Sequence, residues 1–365
     1  MPGMSNGRDG RCGARVSSCA FKLRHVPLLA LSLIATPALA DHAAPSAPGS
    51  GGGLSVAGPE TLGAGKGAIG FRLIFTRPDQ RSDAALAALA GQHVHAHNSD
   101  YNLNASLGAA YGVTDRLTLS AGLPYVRHDG LREGEHAHVA GQSVNGVAQL
   151  GNVDGIGDLS LVAKYRLTSS ESGGVALLAG LKMPTGSTHR RSREGERLET
   201  EHQPGTGSWD PIVGAAAGTM MGALKLDASA LYQFSGKGAQ HTRLGDRAQA
   251  GIALTRRFGP PEHHDKPEHH EEGGDHEHAE VAPHSHQSWD AFVEMNAEWE
   301  GRQRVDGELE QASGGKALWI SPGARFNAAS GLSIAASVGV PAWQRIRASH
   351  PENRYRLQLS ISHAL

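Results

Sequence analysis

The densest concentration of chemistry-bearing side chains is the segment Glu262-His-His-Asp-Lys-Pro-Glu-His-His-Glu-Glu-Gly-Gly-Asp-His-Glu-His278, followed by His284-Ser-His286. It holds His263, His264, His269, His270, His276, His278, His284 and His286, eight of the chain's 21 histidines, among eight acidic residues. A neutral imidazole is a good ligand for Zn²⁺, Cu²⁺ and Ni²⁺, and the neighbouring carboxylates add anionic donors. No fixed tetrahedral spacing is present, so the segment predicts weakly bound, exchangeable divalent metal (Zn, Cu or Ni) and not a structural centre. Its prolines, glycines and near-absence of apolar residues make it a disordered insertion, and the competing reading is a solvated loop that tolerates drift. Smaller clusters, His93-Val-His95-Ala-His97 and His136-Ala-His138, fall on connections, where a mobile backbone does not oblige two rings to meet.

Catalytic chemistry has little to stand on. The chain lacks a Gly-x-Ser-x-Gly nucleophile elbow, a Gly-x-x-x-x-Gly-Lys-Ser/Thr phosphate loop and a His-Glu-x-x-His zinc motif. Ser360, Ser362 and His363 are neighbours in sequence, but on a strand His363 projects opposite to both serines. The expectation is a protein that is not an enzyme and requires no cofactor.

The formal net charge of −2 argues against a nucleic-acid partner. The long apolar run, Val26 to Ala35, is too short to span a bilayer as a helix. Preceded by Arg8, Arg11, Arg15, Lys22 and Arg24 and followed by Ala38-Leu39-Ala40, it reads as the core of an export signal cleaved after Ala40. The basic region is longer than usual, and a start downstream of Met1 fits it better. Cys12 and Cys19 lie before the cleavage point, so the mature chain has no disulfide framework and no thiolate site. The expected organisation is a signal peptide over 1–40, a flexible Pro/Gly/Ser-rich segment over 41–66, and one domain over 67–365. With 48 glycines and 5% aromatic residues, that domain is poorly equipped to fill a large dry core.

What must position any functional group is a set of strands. Apolar and polar residues alternate with period two over segments of about ten residues, as in membrane-spanning β-strands. Tyr101, Leu103, Ala105, Leu107, Ala109 and Tyr111 share one face, with Asn102, Asn104 and Ser106 on the other. The same pattern runs through Leu117–Tyr125, Leu159–Leu167, Leu224–Phe234, Trp289–Trp299, Leu332–Val340 and Tyr355–Leu365. Weaker candidates are Ile69–Thr76, Val175–Met183, Asp210–Met220, Arg247–Phe258 and Ala317–Phe326. The total is twelve, and an even number suits a closed bacterial barrel with no unpaired edge in lipid. A soluble β-sandwich also alternates, but its dry interior would not accept Arg72, Lys164, Lys182, Asp227 and Glu294.

The connections alternate between short and long. Short ones span Gly112–Arg116, Thr168–Gly174, Met221–Ala223 and Asn327–Gly331. Long polar ones span Pro78–Asp100, Arg127–Asp154, Pro184–Ser208, Ser235–Asp246, Glu300–Lys316 and Pro341–Asn353. Short periplasmic turns and long extracellular loops are the barrel rule. By that parity the histidine-rich insertion, 259–287, is long yet emerges on the periplasmic side.

Five motifs carry a family resemblance: Tyr111-Gly-Val-Thr-Asp-Arg-Leu-Thr-Leu119, Gly122-Leu-Pro-Tyr125, Gly155-Ile-Gly-Asp158, Lys182-Met-Pro-Thr-Gly186 and Gly205-Thr-Gly-Ser-Trp-Asp-Pro211. In this order and spacing the chain resembles the outer-membrane transporters named after the meta-pathway of phenol degradation. The resemblance implies location in the outer membrane and transport of a small solute, and it brings no catalytic residues. One departure is Leu365, where many such barrels end on an aromatic residue. Asp158, Lys164, Arg166 and Lys182 are the candidate lumen or rim residues, either setting permeant preference or pairing as ordinary lumen charges. The expected fold is therefore an all-β, antiparallel, up-and-down transmembrane barrel of about twelve strands with a disordered histidine-rich insertion. Its expected partners are outer-membrane lipid and a small solute, hydrophobic or aromatic, or a metal ion. The alternative is a metal-binding protein of a metal homeostasis or resistance system, anchored by its barrel. No residue pattern sets an oligomeric state.

Overall fold

A computed structural model of the protein describes residues 53–139, 142–170, 172–259 and 287–365. The expected signal peptide and the eight insertion histidines lie outside the described residues.

In chain order the strands are β1 (Gly67–Pro78), β2 (His97–Asn98), β3 (Tyr101–Thr114), β4 (Leu117–Val139), β5 (Gln142–Ile156), β6 (Ser160–Ser170), β7 (Gly173–Lys182), β8 (Asp210–Met221), β9 (Leu224–Gln233) and β10 (Arg247–Phe258). After the insertion come β11 (Ser288–Glu300), β12 (Arg304–Val305), β13 (Glu308–Leu309), β14 (Gly315–Asn327), β15 (Leu332–Ile346) and β16 (Asn353–Ala364). Twelve of these form the wall of a closed antiparallel barrel. Each wall strand pairs with its sequence neighbour. β1 closes against β16 from Ala68↔Ala364 to Pro78↔Asn353, and β4 meets β6 from Leu117↔Tyr165 to Gly122↔Ser160. Every wall strand thus finds partners on both sides, which a bilayer demands of backbone groups it cannot solvate. Among the described residues no helix is long and apolar enough to cross a membrane.

Alternation places one side-chain set in the lumen and the other toward lipid. Along β11 burial switches at nearly every residue. Asp290, Glu294, Asn296 and Glu298 face inward and are buried, while Trp289, Val293 and Met295 are exposed. Aromatic rings cluster at two levels. Phe75 stacks on Tyr101 at 5.3 Å and Tyr232 meets Trp299 at 5.8 Å near the long-loop end, and Trp289 meets Phe326 at 4.9 Å near the short-turn end. Such girdles mark the membrane–water interfaces of a barrel.

Two expectations need correction. Residues 127–154 do not form a loop. β4 continues past the wall and pairs with β5 out to Val139↔Gln142, so a hairpin projects from the long-loop end. Beyond the lipid no apolar face is required, so this hairpin lacks the greasy alternation that marks the wall. The connection between β1 and β3 also contains a helix, α1 (Asp83–Ala90), capped by Ser82, whose Oγ accepts the Ala85 N–H. α1 packs on the hairpin through Leu86 and Ala90, both buried. The second correction concerns the segment expected to be flexible over 41–66. Its described part, from Gly53 onward, is held inside the barrel.

Candidate functional site

The segment preceding β1 crosses the lumen and is bonded to wall strands around its circumference. Thr61 Oγ1 donates to Asp115 O at 2.6 Å and the Leu62 N–H to Thr118 Oγ1 at 2.8 Å, fixing the segment at the short-turn end. Glu60 pairs with Lys225 of β9 at 2.6 Å, Lys164 Nζ of β6 donates to Gly58 O at 3.2 Å, and the Ala57 N–H donates to Ser229 Oγ at 3.1 Å. Glu294 of β11 accepts the N–H groups of both Ser55 and Val56, at 2.7 and 3.1 Å. Ser55 Oγ donates to Gln358 of β16, which also accepts from Arg72 of β1 at 2.7 Å. Leu54 packs against Phe292 and Ala335.

The sequence explains why this segment fits. Its residues are small, so a narrow lumen can hold backbone. Backbone groups removed from water then need partners, and the polar inner faces supply them. The wall makes room in turn: a Cβ on Gly251 would lie 2.8 Å from Val56 Cγ2, and one on Gly218 would lie 2.9 Å from Pro59 Cδ.

The four candidate lumen or rim residues do not form one site. Asp158 and Lys182 come together, at 2.8 Å, in a knot at the long-loop rim. Lys182 also pairs with Asp210 at 2.8 Å, its cross-strand partner, and donates to Thr206 Oγ1. Asp158 accepts further from the N–H groups of Thr206, at 2.8 Å, and Gly186, at 2.9 Å. All three charged side chains are at most 2% exposed, so the knot shapes the rim and does not face a permeant. Lys164 lies elsewhere, holding Gly58 in the lumen. Arg166 sits near the opposite end, donating to Asp115 O at 2.8 Å.

Sequence reasoning singled out neither Asp210 and Thr206 nor the seat formed by Glu294, Gln358, Ser229 and Lys225. The inward parity of Glu294 was legible, but the backbone it binds looked like a linker. Among the described residues two groups could hold a metal ion: His97, Glu201 and His202, and His95, Glu133 and Glu199. Neither belongs to the histidine-rich insertion.

The comparisons agree with this architecture. The family model for the MetA-pathway of phenol degradation matches residues 75–264, more than half of the chain. Among solved structures, an outer-membrane channel from Pseudomonas putida F1 aligns over 84% of this chain and 97% of its own, at 19% identity and TM-score 0.50. That likeness is one of fold. LpxR from Salmonella typhimurium (81% and 99% covered, 10% identity, TM-score 0.38) and the monoaromatic hydrocarbon channel CymD (83% and 88% covered, 11% identity, TM-score 0.35) are more distant and bear on nothing finer. No curated protein matches the sequence. The closed barrel with its aromatic girdles, the resembling motifs and the extent of the family match lead to one identification: this is an outer-membrane β-barrel protein belonging to the family named for the MetA-pathway of phenol degradation.

Proposed function

We propose that the protein is a gated, passive channel for a small solute, with aromatic compounds as the substrate class that the family's name suggests. The observation that carries this reading is the segment 53–62 seated across the lumen. Its bonds are many but individually modest, about 0.5–1.5 kcal/mol each for neutral pairs, and every partner on the wall is polar. If the segment withdraws, water can take over each bond, so the barrel can open without unfolding. A channel that handles apolar solutes needs such a closed resting state to keep the outer membrane tight. The alternative of a metal homeostasis protein anchored by its barrel finds no support in the comparisons. No catalytic role is proposed. Ser360 and Ser362 share the inward parity of Gln358, and His363 shares the outward parity of Ile361.

Planar-bilayer recording tests the reading. The full chain is expected to stay mostly closed, and a variant lacking residues 53–62 to conduct steadily and admit phenol into liposomes. Equal conductance of the two proteins would remove the gate, and silence from both would remove the channel.

A further inference from the structure

At the long-loop end, side chains from separate connections converge on one buried point. His97 lies on β2, cross-strand from Glu133 in the projecting part of β4. Glu201 and His202 sit on a 3-10 turn, Thr200–His202, in the connection between β7 and β8. His350 belongs to the connection between β15 and β16, and the His97 N–H donates to Ser349 O there at 2.9 Å.

Glu201 Oε1 stands 3.5 Å from His97 Nδ1 and 3.7 Å from His202 Nε2, and the three donor atoms all lie within 4.8 Å of one another. These gaps are too long for N–H···O hydrogen bonds, which end near about 3.2 Å. They suit the edges of a coordination shell, since tetrahedral arms of about 2.0–2.1 Å set donors roughly 3.4 Å apart. His202 is 2% exposed, and its Nε2 has no hydrogen-bond partner. The atoms it faces are the Glu201 oxygen and Glu133 Oε2, the latter at 4.0 Å.

The surroundings orient these donors. Gln303 Nε2 donates to Glu201 Oε2 at 2.7 Å, which leaves Oε1 toward the imidazoles. His97 Nε2 lies 2.8 Å from His350 Nδ1, so a His97 that ligates through Nδ1 can donate from Nε2. That outer bond is what fixes the tautomer of a metal-binding imidazole. Burial pushes the Glu201 carboxyl up to about 7 and holds His202 well below the ordinary imidazole range. The imidazole is therefore in its ligating form, and a cation would restore the charge that burial suppresses.

We propose that His97, Glu201 and His202, with Glu133 within reach as a fourth donor, bind one divalent transition-metal ion of the Zn²⁺ class. The ion fastens the connection between β1 and β3 to that between β7 and β8 at the mouth of the barrel. The proposal is independent of the channel reading and of the histidine-rich insertion.

The test is calorimetric titration of Zn²⁺ into the full chain in detergent, with the eight insertion histidines changed to serine to silence that segment. One site of micromolar affinity or tighter is expected. His202→Ala should abolish it, and Gln303→Ala, which disturbs only the positioning of Glu201, should weaken it about 10–100-fold. No binding, or binding that His202→Ala leaves unchanged, overturns the proposal. A measurement free of variants guards against misfolding: crystals of the unaltered protein soaked in Zn²⁺ should show an anomalous peak between His97, Glu201 and His202. A map that is empty there overturns the proposal as well.

Discussion

Lys182 shows how much one side chain can hold at the rim. It compensates two buried carboxylates, Asp158 and Asp210, each at 2.8 Å. Lys182→Met keeps much of the volume but leaves both acids without their cation. Removing one partner of a buried pair costs about 3–5 kcal/mol, far more than a surface pair contributes. The expected result is a large fall in the urea midpoint of the folded barrel, followed by its heat-modifiable gel shift. Asp158→Asn added to Lys182→Met should recover part of the loss, because one stranded charge is gone. Little or no fall in the single variant would mean that water reaches the knot. The sequence exposed half of this arrangement. Asp158 and Lys182 stood out as charges at strand ends, whereas Asp210 and Thr206 become partners only when the β7–β8 ladder and the following turn place them side by side.

At the scale of elements, the wall strands were legible and the segment before them was not, for one physical reason. Lipid requires an apolar face and a wet lumen requires a polar one, so each spanning strand carries a period-two signature in its side chains. The lumen segment bonds chiefly through its backbone, to Glu294, Lys164 and Ser229. Backbone bonding leaves no side-chain pattern, and Gly, Ala, Ser and Pro then read as a linker. The β4–β5 hairpin escaped notice because beyond the bilayer nothing enforces the pattern. If the segment is a seated gate, crowding its seat should unseat it. Gly251→Leu puts a side chain where Val56 now lies, since even a Cβ there comes within 2.8 Å of Val56 Cγ2. Frequent openings are expected from this variant in bilayer recordings, with the gel shift retained. A protein as silent as its parent would mean that the segment can shift without opening the lumen.

For the whole molecule, the question is whether the barrel depends on what fills it. A globular protein stripped of its core collapses because the vacated apolar space stays dry. Here the space vacated by residues 53–62 is lined by Glu294, Gln358, Lys164, Ser229 and Thr118, groups that water can satisfy. The ladder, meanwhile, closes without the segment, through β1–β16 and β4–β6. Few apolar contacts are lost. Leu54 leaves Phe292 and Ala335, and Ala57 leaves the small cluster of Val162, Leu178 and Ala216. At about 1.5–3 kcal/mol for a fully buried Leu and less for Ala, removal costs about as much as the Lys182→Met change or less. The variant lacking residues 53–62 should therefore insert, keep its heat-modifiable shift and lose only modestly in unfolding temperature, while its lumen opens. Loss of the gel shift would show instead that the segment is a structural core on which closure depends. It could not then be a gate, because a gate must be able to leave.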